Sequence, residues 1–193
     1  MYQLFARAYG TNNLPDSSNM CHESTSVGLQ ESIGVPVGTV TLKDFEHTDC
    51  LLFFGQNVGS NSPRMLHQLQ EARQRDVPII TFNPLKERGL QEFVNPQSPG
   101  EMLGPNSTQI STQYHQVAIG GDTAAIIGVS KALLDLHDAA RQRGEPGVLD
   151  MPFIAEHTSG ADDFIAHVRG QDWAQIEAIT GLKRAAMEAT ALV

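Results

Sequence analysis

Asp49-Cys50-Leu51-Leu52-Phe53-Phe54-Gly55-Gln56-Asn57-Val58-Gly59-Ser60-Asn61-Ser62-Pro63 is the stretch on which the fold turns. Residues 49–55 form a continuous apolar run bounded by turn residues, the pattern of a parallel strand buried on both faces. Residues 56–62 read as a polar tip. Pro63 suits the first turn of a helix whose apolar face would hold Met65, Leu69 and Ala72. The order is strand, Gly/Asn-rich loop, helix.

The plan recurs downstream. Val77-Pro78-Ile79-Ile80-Thr81-Phe82 reads as a strand, Asn83-Pro84-Leu85 as its tip and 86–93 as a short helix. Weaker strands are expected at 109–112 and 116–119, the latter followed by Gly120-Gly121-Asp122-Thr123 and a long helix over 124–141. Ile126, Val129, Leu133 and Leu136 would line one face of that helix. Repeated strand-loop-helix units predict an α/β fold with a doubly wound, mainly parallel sheet. Upstream, 1–10 reads as helix, 11–20 as a polar loop, 23–33 as a helix ended by Gly34, and Thr41 as the N-cap of a short helix through Glu46. Residues 141–147 are charged and carry Gly and Pro, a surface connection. The expected domains are therefore 1–147, holding the sheet, and 148–193, a helical segment with Trp173, Ile176 and Ile179 on one helix face.

Composition narrows the function classes. A chain of 193 residues and 21.0 kDa, 40% apolar and 18% charged, is long enough to bury a core and is neither disordered nor fibrous. Its net charge of −9 argues against a nucleic-acid partner, so an anionic ligand must be held by local backbone donors. Cys21 and Cys50 are too few for a disulfide scaffold and lack zinc-site spacing, which points to a reducing, cytoplasmic setting. No run approaches the roughly 18 apolar residues of a membrane span, and no signal peptide is apparent, so no membrane partner is expected.

Ligands of open α/β sheets settle outside the carboxyl ends of the strands. Those ends carry Gly55, Gln56, Asn57 and Asn61, then Asn83 and Pro84, then Gly120, Gly121 and Asp122. Glycine lets a backbone approach a ligand, helix N-termini offer free N–H groups, and Asn or Asp can read ribose hydroxyls or a base edge. The set suits a nucleotide. Each loop taken alone is also ordinary turn and cap chemistry, and neither a G-x-G-x-x-G nor a Walker A motif is present.

Cys21-His22, at the junction of loop and helix, is the other chemical address. A thiolate can be a nucleophile or a metal ligand, and an adjacent imidazole can carry a proton. An inert cysteine beside a surface histidine is the alternative. Cys50, at the start of a core strand, reads as inert. Of the other histidines, which show no ligand spacing, only His157, in Glu156-His157-Thr158-Ser159-Gly160, has turn chemistry around it that could face a site.

Asn19-Met20-Cys21-His22-Glu23-Ser24-Thr25-Ser26-Val27-Gly28-Leu29 resembles a segment of molybdopterin-dependent oxidoreductases, in particular formate dehydrogenase alpha subunits, where Cys or selenocysteine followed by His coordinates molybdenum. Thr25, Gly28 and Leu29 match that segment, whereas Ser24, Ser26 and Val27 stand where close formate dehydrogenases have Pro, Val and Ala, as in a divergent branch. Phe54-Gly55-Gln56-Asn57 is similar to the family's Gly-x-Asn strand end, Phe82-Asn83-Pro84 to its Asp-Pro strand end, and Gly120-Gly121-Asp122-Thr123-Ala124 to its entry into a long helix. Asp150 to Gly160 resembles its Asp-x-x-Phe…Thr-x-Gly stretch, and Ile179-Thr180-Gly181 its Thr-Gly turn.

The resemblance implies a Rossmann-like domain contributing to a bis-molybdopterin guanine dinucleotide cofactor that carries molybdenum or tungsten. It makes Cys21 the metal ligand and His22 a catalytic proton carrier. The strand-end residues become cofactor contacts, and two-electron chemistry resides in the cofactor. Asn83, where many relatives have Asp, could accept from a ribose only through an uncharged carbonyl oxygen. Relatives are several times longer, so the chain is expected to be a fragment: an iron-sulfur cluster is not encoded in it, and its partners are the remaining domains of the parent chain, an electron-transfer partner and a small-molecule substrate such as formate. Two alternatives stand beside this reading. One is a Cys-dependent hydrolase or transferase, for which adjacent residues about 100° apart on a helix make a poor nucleophile-base pair; the other is a non-catalytic nucleotide-binding module.

Overall fold

A strand covered on both faces needs no polar alternate, and Ile79-Ile80-Thr81-Phe82 meets that condition. The computed structural model describes residues 1–14, 16 and 18–193. The chain divides into two compact units, Met1–Thr41 and Leu42–Val193. The first holds α1 (Tyr2–Tyr9), then a π-helical turn (Asn19–Glu23) that runs into α2 (Ser24–Ile33). Of the polar stretch 11–20, Pro15 and Ser17 lie outside the described residues.

The second unit opens with a 3₁₀ turn (Leu42–Glu46), followed by β1 (Leu51–Phe54), α3 (Val58–Asn61), α4 (Met65–Gln74), β2 (Ile79–Phe82), α5 (Arg88–Gln91) and β3 (Glu92–Phe93). Next come α6 (Pro99–Leu103), β4 (Thr108–Gln109), β5 (Gln113–His115) and α7 (Asp122–Gln142). The helices α8 (Met151–His157), α9 (Ala161–Arg169), α10 (Trp173–Thr180) and α11 (Arg184–Ala191) complete it. The architecture is mixed α/β with a three-stranded parallel sheet in the order β1-β2-β5 and a small antiparallel pair, β3-β4.

Alternation along β2 divides the core. Ile80 and Phe82 pack with Val117, Ala125, Ile176, Leu182 and Met187, and Phe54 stacks on Phe82 with ring centroids 4.8 Å apart. Ile79 faces the opposite side, with Val58, Leu66, Leu69, Leu90 and Ile110. Each fully buried side chain of this size contributes roughly 1.5–3 kcal/mol. Thr81, polar and fully buried, is satisfied by the Ser111 hydroxyl at 2.7 Å. Among the described residues no helix is long and apolar enough to cross a membrane.

Several local expectations change; among them, Glu92 and Phe93, expected to end a helix over 86–93, instead pair as β3 with β4. The strand expected at 116–119 lies at Gln113–His115 instead, because the backbone beyond it bonds elsewhere: Ala118 N donates to Thr180 O at 2.8 Å and Gly121 N to Ala118 O at 2.8 Å. The helix around Cys21-His22 starts earlier than residue 23, since Asp16 Oδ1 accepts from Asn19 N at 3.1 Å and winds the chain before the cysteine. The face of α7 turned inward differs in part. Val129 packs half-buried against the core as expected, whereas Ile126 is exposed and Ala125, Gly128, Ala132 and Leu134 are buried, with Gly128 at the closest approach of Ile176 and Met187.

Gly128 marks that approach: a Cβ there would lie 2.2 Å from Met187 Sδ and 3.1 Å from Ile176 Cγ2, and Met187 is fully buried. Gly128→Val is expected to destabilise the chain by about 1–3 kcal/mol through overpacking, read as a lower urea midpoint with an unchanged slope.

Candidate functional site

Parallel pairing brings the carboxyl ends of β1, β2 and β5 to one edge of the sheet. At the end of β1, Gly55 turns the chain with φ 65°, a left-handed conformation that favours glycine, and its N–H donates to Phe82 O at 2.9 Å. A Cβ on Gly55 would meet nothing within 4 Å, so this corner is open. Asn57 is the N-cap of α3: its Oδ1 accepts from Ser60 N at 3.2 Å. Residues 56–62 are thus partly a helical turn, and Asn61 closes it, donating its N–H to Asn57 O at 3.0 Å.

At the end of β2, Asn83 N donates to His115 O at 3.0 Å, extending the sheet pairing by one bond. The Asn83 side chain then folds inward, 4% exposed; its Oδ1 accepts from Leu85 N at 3.1 Å and its Nδ2 donates to Gln56 O at 3.4 Å. Pro84 is half-buried, and its carbonyl accepts from Gln116 Nε2 at 3.2 Å. Gly55, Gln56, Asn57, Asn83 and Pro84 therefore assemble at one edge. Gly59 and Gly89 press α3 against α5 there, since a Cβ on Gly89 would fall 2.7 Å from Gly59 Cα.

Gly121 is the N-cap of α7, with Asp122 in its first turn. A Cβ on Gly121 would meet Ala118 O at 2.9 Å and Ile179 O at 3.0 Å, so its lack of a side chain serves packing. No hydrogen bond among the described residues joins Asp122 to the Asn57–Asn83 group. Cys21 and His22 are both exposed and lie in the other unit, in the π-helical turn that leads into α2; Asn19 Nδ2 and Glu23 Oε2 bond across that turn. Inserted π-helical turns are frequent at functional positions. Cys50 is half-buried against the core, which pushes its thiol pKa up. His157 is exposed and packs on the Phe153 ring at 4.7 Å.

Three residues that sequence reading did not single out stand at the strand ends. Glu87 Oε2 accepts from Asn57 Nδ2 at 2.8 Å, and Glu87 N donates to Tyr114 Oη at 2.9 Å. Tyr114 Oη in turn donates to Leu85 O at 2.6 Å. Burial pushes the Tyr114 phenol pKa up, with a backbone hydrogen bond from Glu87 opposing it and the Glu87 charge reinforcing it. The only sequence signal was the charged triplet Lys86-Glu87-Arg88 directly after a strand tip. The third, His115, ends β5 half-buried, its Nε2 3.1 Å from Gln113 Oε1 and 3.2 Å from Thr190 Oγ1, its ring 4.9 Å from that of Phe82.

No protein-family model matches the chain. In sequence it is 50% identical over 184 residues to Protein YdeP of Escherichia coli (strain K12), a match covering 95% of this chain and 24% of that protein. It is 42% identical over 163 residues to a Mycobacterium tuberculosis (strain ATCC 25618 / H37Rv) protein named Uncharacterized oxidoreductase Rv2900c, covering 84% of this chain and 20% of that one. Formate dehydrogenase H of Escherichia coli (strain K12) is more distant, 22% identical over 181 residues, covering 93% of this chain and 21% of that protein. Among solved structures, acetylene hydratase from Pelobacter acetylenicus shares the fold, with a TM-score of 0.66 at 18% identity, over 99% of this chain and 22% of that one. The chain spans a fifth to a quarter of the length of the curated relatives it matches. The sequence relatives support an oxidoreductase family, with formate dehydrogenase only a distant relation.

Burial lowers the His115 pKa from its ordinary value. The unfolded chain, whose histidine titrates near about 6.5, binds a proton there more readily than the native one. Stability is therefore full above about pH 6.5 and falls as pH drops toward the lowered native value. His115→Gln is expected to flatten this loss between about pH 7 and pH 5, measured by urea unfolding across that range.

Proposed function

We propose that this chain is the cofactor-binding part of a molybdenum- or tungsten-dependent oxidoreductase with a formate dehydrogenase-like plan. In this reading the sheet is a doubly wound, Rossmann-like domain and the cofactor is a bis-molybdopterin guanine dinucleotide. The observation that carries it is the joint presence of two features in one chain: Asn and Glu side chains assembled beside the open Gly55 backbone at the carboxyl ends of a parallel sheet, and an exposed Cys-His pair in a π-helical turn. The sequence likeness to proteins named as oxidoreductases supports the same reading.

The residues present fit such a group. Gly55 offers an open corner where a ligand can approach backbone. Cys21 is exposed, and a thiolate is the donor that a soft metal favours. Among the described residues no three His, Cys, Asp or Glu side chains gather as a metal site, so Cys21 would be a single protein donor to a metal whose other donors belong to the cofactor. When bound, the cofactor supplies two-electron redox chemistry.

This chain's residues would bind and orient. The backbone at Gly55 to Asn57 and at Gly121 would line the nucleotide, with Asn61, Pro84 and Asp122 at the margins of that edge. Cys21 Sγ would hold the metal, and the neighbouring His22 imidazole would hold or pass on a proton. The small-molecule substrate, formate among the candidates, and the electron acceptor would meet this part together with the rest of the parent chain.

The test is metal and pterin analysis of the full-length protein alongside turnover. The full-length protein is expected to hold molybdenum or tungsten with pterin. Cys21→Ala is expected to abolish metal-dependent turnover, and full turnover in the metal-loaded variant would overturn the assignment of Cys21.

A further inference from the structure

The polar groups at the strand ends are not equally available. Asn83, at the tip of β2, is buried, and both ends of its amide are bonded within the protein, to Leu85 N and Gln56 O. It bolts the first two strand-end loops together and has little left for a ligand. Glu87 differs in each respect. It is half-buried and is the N-cap residue of α5, yet its carboxylate makes no cap hydrogen bond.

Glu87 is instead tied to the edge by one amide donor on its carboxylate and one phenol on its backbone N–H. Asn57, beyond β1, donates to Oε2 at 2.8 Å; Tyr114, on β5, takes the Glu87 N–H at 2.9 Å; and the same phenol fixes the preceding loop through Leu85 O at 2.6 Å. None of the ion pairs among the described residues includes Glu87. A carboxylate offers about four lone-pair sites on two oxygens. Here a preorganised negative charge has one amide donor and no cation.

We propose that Glu87 is the ligand acceptor of this edge, taking two hydrogen-bond donors presented side by side by a bound guanine nucleotide, while Asn83 is structural. Two parts of such a ligand have that chemistry: the ribose cis-diol, and the guanine edge with its ring N–H and exocyclic amine. A fixed carboxylate binds either through charge-assisted hydrogen bonds and rejects a ligand that lacks the donors. The proposal rests on the reading of the strand ends as a nucleotide site.

The experiment is calorimetric titration of the cofactor-free full-length protein with GDP, 2′-deoxy-GDP and IDP, for wild type and Glu87→Gln. The variant keeps an oxygen for Asn57 Nδ2, so its thermal midpoint should stay near that of wild type. Wild type is expected to bind GDP, and Glu87→Gln to weaken it roughly tenfold or more, the scale of a hydrogen bond to a charged group. Weaker binding of 2′-deoxy-GDP by wild type places the contact at the ribose, and weaker binding of IDP places it at the base. Equal affinity of wild type for all three nucleotides overturns the proposal whatever the variant does, and so does unchanged GDP affinity in a folded Glu87→Gln; in both cases the nucleotide reading stands. No binding of any nucleotide by wild type refutes that reading and this proposal with it.

Discussion

Everything at the candidate nucleotide edge depends on the parallel register of β2 between β1 and β5. Leu51 faces Ile79 and Phe54 faces Phe82 on one side, while Phe82 faces His115 on the other. Because the three strands run the same way and stop at the same level, their outgoing loops share one edge. A slip of one residue would exchange Ile79 and Phe82 between the two faces and break both cores at once, so burial itself protects the register. The Thr81–Ser111 hydroxyl pair ties the polar position of β2 to the segment that leads into β5.

From that register the edge is built by short-range chemistry acting across long sequence separations. Gly55 N donates to Phe82 O, Asn83 N to His115 O, and Asn83 Nδ2 to Gln56 O, so each strand end is pinned to its neighbour. The Gly59–Gly89 contact brings α3 against α5, and Asn57 and Glu87 can then meet. Sites held by mutually bonded groups on a rigid sheet need little reorganisation when a ligand arrives. The rigidity costs availability: Asn83, the strand-tip residue most visible in sequence, is consumed in building the frame.

Much of this was legible beforehand because it depends on local pattern. The apolar runs around Leu51 to Phe54 and Ile79 to Phe82, the turn residues after them and the long helix from Asp122 are properties of neighbouring residues. The inward face of α7 was legible only in part. Val129 packs on the core as its spacing suggests, but Ile126 is exposed, and the close approach of Met187 and Ile176 is met by Gly128. The start of the helix around Cys21 was not legible: there Asp16 Oδ1 accepts from Asn19 N from inside a stretch that reads as loop.

The amino-acid sequence alone determined the α/β class, the strand-end positions of Gly55, Asn57 and Asn83, and the pairing of Cys21 with His22, since all of these follow from periodicity, turn chemistry and adjacency. Tertiary structure decided which of those groups have unspent hydrogen-bonding capacity. Asn83 and Glu87 are four positions apart and both polar; one is buried against Gln56 and the other is held half-buried by Asn57 and Tyr114. That difference is set by partners 27 to 30 residues away, and no local pattern of residues encodes it.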